Sequence, residues 1–237
     1  VRPRLTEVVR FGDRVRAALM SRSRGADGLP HPVFSGKTSD GLPLRDNAHA
    51  HVLPVDDDRD GVIDHLVLWA PGGFDRRALS AISEFDWLWG DDGWDLRITF
   101  VGAAASGADP AVLGIGRASA RTAVTATAQQ WQSRTPFVLP RHPKLRRGVW
   151  TDTPEDQLRR ECERANLPPI VSIRSLDGTD APNRLLWHRF RLARTHGGGS
   201  RGGDRGYGFS IEFERAASGP IALGYGARQG LGQFEPT

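Results

Sequence analysis

The stretch His49-Ala50-His51-Val52-Leu53-Pro54-Val55, then Asp56-Asp57-Asp58-Arg59-Asp60-Gly61, then Val62-Ile63-Asp64-His65-Leu66-Val67-Leu68-Trp69-Ala70 sets the reading of this chain. Apolar, β-branched runs flank a cluster of Asp residues closed by Gly, which is the pattern of two strands joined by an acidic turn. Three of the seven histidines lie here. Successive side chains of a strand alternate faces, so His49 and His51 are expected on one side, about 7 Å apart. The place of His65 depends on register. Pairing Val55 with Val62 sets it opposite Val52, whereas a one-residue slip sets it opposite His51 and exchanges faces.

Upstream, Leu5, Val8, Val15 and Leu19 are spaced as the buried stripe of an amphipathic helix over Leu5 to Met20, with Arg10, Arg14 and Arg16 between them. Residues 21 to 48 hold enough Gly and Pro for a long loop, which carries His31, Ser35, Gly36, Lys37 and Arg45. Downstream, Leu79, Ile82, Phe85 and Trp89 predict a helix over Phe74 to Trp89 with Asp75 near its start, and Arg97 to Val101 predicts a strand. The order helix, strand, strand, helix, strand is that of a ferredoxin-like βαββαβ unit without its first strand.

The second half predicts a strand at Thr135 to Leu139, a basic loop with Arg141, His142, Lys144, Arg146 and Arg147, and a helix capped by Thr153 with Leu158, Cys162 and Ala165 inward. Strands are expected at Ile170 to Ser175, Leu185 to Arg194 and Tyr207 to Glu214. In the middle one Trp187, Arg189 and Arg191 share a face, suited either to bases and phosphates or to an ion-pair ladder with Glu212 and Glu214. Gly197 to Gly206 is too rich in Gly to be ordered by itself, and the closing run from Gly224 to Phe234 carries Gly224, Gly226, Gly230 and Gly232 around Arg228. A dinucleotide fingerprint needs a helix after such glycines, and the chain stops too soon for one.

The 237 residues have ample apolar material for a core. The single cysteine, Cys162, excludes an internal disulfide and reads as core filler. No apolar run approaches the roughly 20 residues of a membrane span, and no signal peptide is visible, so the cytoplasm is the expected compartment. Val1 in place of an initiator Met reads as the start of a piece of a longer protein. Residues 1–103 hold 13 Lys+Arg against 16 Asp+Glu, whereas residues 104–237 hold 19 against 12, almost all of the excess being Arg. The Arg surplus suits phosphate oxygens, though base composition and solubility would give the same excess.

The paired histidines admit two chemistries. With Asp64 or His65 they could ligate zinc or manganese as a metal-dependent hydrolase does. As proton carriers they could deprotonate a ribose 2′-hydroxyl and protonate a leaving 5′-oxygen, with Lys37 or an Arg stabilising the phosphorane, a scheme that needs no metal or other cofactor. The Asp-rich turn has spacings seen in EF-hand loops, but Val67 stands at the twelfth position where a Glu is needed, so a charged, solvated tip is the expectation.

Phe34-Ser35-Gly36-Lys37, Asp40-Gly41, His49-Ala50-His51, the Asp-rich turn with Ile63-Asp64-His65, Ser133-Arg134-Thr135-Pro136-Phe137 and the terminal Gly-rich loop occur in an order that resembles one CRISPR family. It is the fused RAMP subunit of type I-U (I-G) systems, in its C-terminal half, which is similar to the CRISPR repeat-processing endoribonucleases. The resemblance implies an α+β fold of two tandem ferredoxin-like (RRM-like) units, 1–103 and 104–237, the first lacking its first strand. It implies metal-independent cleavage of precursor CRISPR RNA within the repeat, leaving a 2′,3′-cyclic phosphate, and retention of the guide RNA in an effector complex. The histidine role falls on His49 or His51, with His65 behind them, and the RNA-holding loop on Gly224 through Gly232 with Arg228. The family often carries His where Lys37 stands. Its partners would be the other subunits of a type I effector complex, including a RAMP module fused upstream. On this reading Arg45, Arg141, Lys144, Arg146, Arg147, Arg189 and Arg191 contact phosphates. A non-catalytic RNA-binding RAMP subunit and a metal-dependent hydrolase are the alternatives.

Overall fold

A computed structural model describes residues 1–44, 48–89, 93–104, 124–177, 186–194 and 203–237. The fold is α+β on antiparallel sheets. A 3-10 turn at Leu5–Glu7 leads into helix α1 (Val8–Arg22), which buries Val8, Phe11, Val15 and Leu19 at the expected spacing. After the short helix α2 (Pro32–Ser35), strands β1 (His51–Val55) and β2 (His65–Trp69) form a two-stranded hairpin.

The hairpin register is neither of those the sequence suggested. His51 pairs with Trp69 and Val55 with His65, so the whole of 56–64 is loop. Two forces shorten the strands. The N-terminal segment captures the residues that would have extended β2: Leu5 N donates to Gly61 O at 2.8 Å and Ile63 N to Pro3 O at 2.9 Å. The carboxylates then close the loop on itself. Buried Asp56 accepts from the backbone of Asp60 (3.1 Å) and Gly61 (2.9 Å), and Asp64 accepts from Asp57 N at 2.9 Å. The base of the loop is therefore bonded internally, while Asp58, Arg59 and Asp60 at its tip are exposed, as the charged sequence led one to expect.

Asp75 caps helix α3 (Arg76–Ser83) through Ala78 N as expected, but the helix ends before Phe85 and Trp89. Strand β3 (Trp87–Leu88) pairs with β4 (Leu96–Arg97). The strand expected over Arg97 to Val101 is thus confined to its first residue, and it does not join the hairpin.

The main sheet contains β5 (Thr127–Ser133), β6 (Phe137–Val138), β9 (Ile170–Leu176), β10 (Gly206–Ser218), β11 (Ile221–Ala222) and β12 (Gln233–Pro236). Its order is β11-β12-β5-β10, with β9 on the far side of β10 and β6 pairing the first residues of β10, all antiparallel. β10 alternates as its sequence requires, burying Phe209, Ile211 and Phe213. Helix α4 (Pro154–Arg164) starts in a complete capping box between Thr153 and Asp156, and packs Leu158 and Cys162 on those side chains. Ala165, the third residue of the expected stripe, is the exposed C-cap. Between β6 and α4, β7 (Lys144–Arg146) and β8 (Val149–Thr151) make a separate hairpin.

Leu185 to Arg194 is not a strand in its described part. Trp187–Arg189 is a 3-10 turn whose indole is buried and donates to Leu176 O at 3.2 Å. The face expected to join Trp187, Arg189 and Arg191 is accordingly dissolved. Gly208 explains why the ring goes inward, since a Cβ there would lie 2.6 Å from the indole. Gly197 to Gly202 lie outside the described residues.

The larger apolar cluster joins Leu5, Val8, Val52 and Phe85 to Val138, Phe190 and Leu231, so the two halves of the chain share a core. Gly12 lets them approach: a Cβ there would sit 2.7 Å from the backbone of Gln229. Among the described residues, no helix is long and apolar enough to cross a membrane.

Candidate active site

β1 begins at His51, and His49 lies two residues before it. Both line one cavity of about 1110 Å3, together with Lys37, Arg16, Arg194, Tyr225 and Arg228. Each element delivers its side chain for a local reason. Helix α2 is capped by the His31 ring, which accepts from Val33 N at 3.2 Å, and ends at Gly36 with φ +73°. Gly36 is favoured by its left-handed backbone rather than by space, since a Cβ there would only touch the His49 imidazole at 3.4 Å. Arg16 reaches from α1 to the end of α2, donating to Phe34 O (2.8 Å) and Ser35 O (2.6 Å). Arg194 lies 3.4 Å from Asp13. Arg228 sits in the 3-10 turn Ala227–Gln229 and donates to His49 O at 2.8 Å, which ties the terminal loop to the histidine segment.

Burial first, and these cations second, set the protonation of the pair. Burial, then Arg228 and the His49 ring, pushes His51 down to about 3, against a backbone hydrogen bond at Ala227. Burial, then Arg228, Arg16 and Arg194, pushes His49 down to about 3 as well. Arg228 is itself pushed down to about 10 by burial and by Arg16, and stays charged at pH 7. The site therefore presents two neutral imidazoles beside fixed guanidiniums, a combination that stabilises an anion. The buried Nδ1 atoms of both histidines have no hydrogen-bond partner among the described residues.

One consequence concerns stability. The folded value of His51 lies below that of an unfolded histidine, so protonation favours unfolding. Its stabilisation is complete above about pH 6.5 and is lost as pH falls toward 3. Urea unfolding of the native protein should lose about 2 kcal/mol between pH 7 and pH 5 relative to His51→Gln measured alongside. Parallel pH profiles for the two proteins would contradict this assignment.

The remaining candidates divide. Gly224 and Gly226 line the cavity, whereas Gly230 and Gly232 are buried and serve packing. A Cβ on Gly230 would lie 2.6 Å from Pro54, and on Gly232 1.9 Å from Leu223 O. His65 is removed from the pair: it stands opposite Val55, four positions along β1 from His51 or about 13 Å, beside Asp57 at 3.9 Å. It lines a second cavity of about 730 Å3 among Leu66, Phe74 and Ile98. Asp64 is also at that end, ion-paired to Arg2, so both donors considered for completing a metal site with His49 and His51 stand apart from them. Asp56, Asp58 and Asp64 do lie within 4.8 Å of one another, engaged by the loop's own N–H groups.

Arg45 lies outside the described residues, as does the side chain of Arg146. Arg141 lies 3.7 Å from Asp152, while Lys144 and Arg147 are exposed on the β7–β8 hairpin. Arg189 is exposed, and Arg191 lies 3.5 Å from Glu7; none of these lines the histidine cavity. Arg16, Arg194 and Tyr225 do, and sequence reasoning did not place them there. Arg16 had a weak signal as one of the arginines between the apolar positions of α1; Arg194 had none. Ser133, Arg134 and Thr135 are structural. Ser133 Oγ accepts from Phe209 N at 2.9 Å, and Thr135 Oγ1 donates to Gly230 O at 2.8 Å.

No protein-family model, curated protein or solved structure matches the chain.

Proposed function

We propose that this protein is a metal-independent endoribonuclease that cuts precursor CRISPR RNA within its repeat and retains the guide in a type I effector complex beside an upstream RAMP module. The observation that carries this reading is the placement of two neutral imidazoles with Arg16, Lys37, Arg194 and Arg228 around one cavity, against the Gly-rich C-terminal loop. The main sheet supports the fold part. Taking β5, β9, β10 and β12 as strands one to four, with α4 as the first crossover, their order is 4-1-3-2, that of a ferredoxin-like unit. The Gly-rich loop stands where the second helix would be.

In the reaction, one imidazole takes the 2′-hydroxyl proton and the 2′-oxygen bonds to phosphorus. The P–O5′ bond then breaks, and the leaving oxygen takes a proton from the second imidazole, whose protonation the phosphate charge favours against the guanidiniums. Arg228 and Lys37 stabilise the pentacoordinate phosphorus. A non-catalytic RNA-binding subunit is the second reading, favoured by one observation: His51 is only 8% exposed.

Incubation with repeat RNA in EDTA separates these readings. The expected product ends in a 2′,3′-cyclic phosphate. RNA bound but intact would establish the scaffold instead, and activity restored only by added metal would establish a metal-dependent hydrolase.

A further inference from the structure

The hairpin β7–β8 has a composition and an exposure that packing does not explain. Its loop is two residues, Arg147 (φ +50°) and Gly148 (φ +77°), the left-handed pair of a type I′ turn, so the strands keep their natural twist to the tip. Leu145 and Trp150 stand directly opposite each other, hence on one face, and are 58% and 62% exposed. Between Arg141 and Thr151 the sequence has three arginines, a lysine and no carboxylate. An exposed indole on a narrow ribbon that carries Arg147 at its tip and Lys144 on its other face is matched by a flexible polyanion that carries flat rings.

We propose that this hairpin is a stacking platform for single-stranded RNA, with Trp150 covering a base, Leu145 supporting its edge, and Lys144 and Arg147 on the adjoining phosphates. The inference rests on reading the chain as an RNA-binding protein and adds a second site to it. Thr153 and Asp152 join the hairpin to the start of α4, while Glu161, Arg164 and Asn166 at its other end line the histidine cavity. The 11 residues of α4 measure about 16 Å, so the hairpin stands about one helix length from the rim of the histidine cavity.

The test is titration of fluorescein-labelled repeat RNA and of an unstructured oligouridine against the full chain, Trp150→Ala, Trp150→Phe, and the double variant Lys144→Gln/Arg147→Asn, whose Asn tolerates the left-handed backbone. Trp150→Ala should weaken both RNAs roughly 5- to 150-fold with an unchanged salt slope. Trp150→Phe should recover most of that loss, and the double variant should lower the log–log salt slope by about 1.4. Trp150→Ala binding within twofold of the parent overturns the platform even when the parent cuts repeat RNA. A Trp150→Ala defect on RNA that is never cut upholds the platform and removes the nuclease. Loss of self-association at unchanged RNA affinity would make the hairpin a contact between copies, and no RNA binding by the parent would overturn the platform.

Discussion

Single-turnover cleavage of repeat RNA should fall roughly 100- to 10,000-fold in His51→Ala and in His49→Ala, with RNA affinity changed no more than a few-fold. The size of the effect follows from the role. Removing the group that takes the 2′-hydroxyl proton forfeits general-base catalysis, whereas a ring that is neutral in the free site contributes no charge to phosphate binding. Arg228→Gln should behave differently. It takes away a cation within the site and a hydrogen bond to His49 O, so both binding and rate should suffer. Unchanged rates in both histidine variants would take the pair out of the mechanism and leave a binding cavity.

The second large effect concerns folding, at the point where the hairpin loop meets the main sheet. Arg134 is 3% exposed, and its guanidinium lies 3.1 Å from Glu235, itself 2% exposed, and donates to Asp56 O. Burial lowers the pKa of Arg134 while Glu235 and Asp56 raise it, so the charge is kept only because its partners are in place. Arg134→Ala leaves Glu235 buried with Arg59 as its nearest cation, at 3.4 Å and on a half-exposed side chain. Breaking such a pair from one side costs about 3–5 kcal/mol, and the melting temperature of a chain this size should drop by roughly 6–20 °C. The double variant Arg134→Met/Glu235→Leu should regain most of the loss, because no unpaired charge then remains inside. A melting point within 2 °C of the native protein in Arg134→Ala would show that the pair is solvated in solution.

Sequence reading recovers the elements whose signals are local. The stripe of α1, the Thr153–Asp156 capping box of α4 and the alternation of Phe209, Ile211 and Phe213 each depend on residues within four or five positions of one another. It misses β5, whose Thr127-Ala128-Gln129-Gln130-Trp131-Gln132-Ser133 run looks like polar loop. That segment is a strand because β12 and β10 pair with it on both sides, and it buries only Trp131 and Ser133 fully. Trp187 shows the reverse error: alternation suggested a strand, but a glycine opposite it in space left a pocket that only the indole fills.

For the site, the sequence alone determines that His49 and His51 stand two residues apart ahead of an acidic turn; that both rings line one cavity is decided by tertiary structure, because His49 lies in a bend before β1 rather than in the strand. Only the tertiary structure decides that His65 stands at the far end of the hairpin and that Arg16, Arg194 and Arg228 converge on the pair. Register is settled by competition between backbone partners distant in sequence, here Pro3 to Leu5 against the hairpin's own strands. Convergence of charge is settled by packing across the core shared by the two halves, where Gly12 lets α1 rest on the turn that carries Arg228. Neither is encoded in the spacing of neighbouring residues.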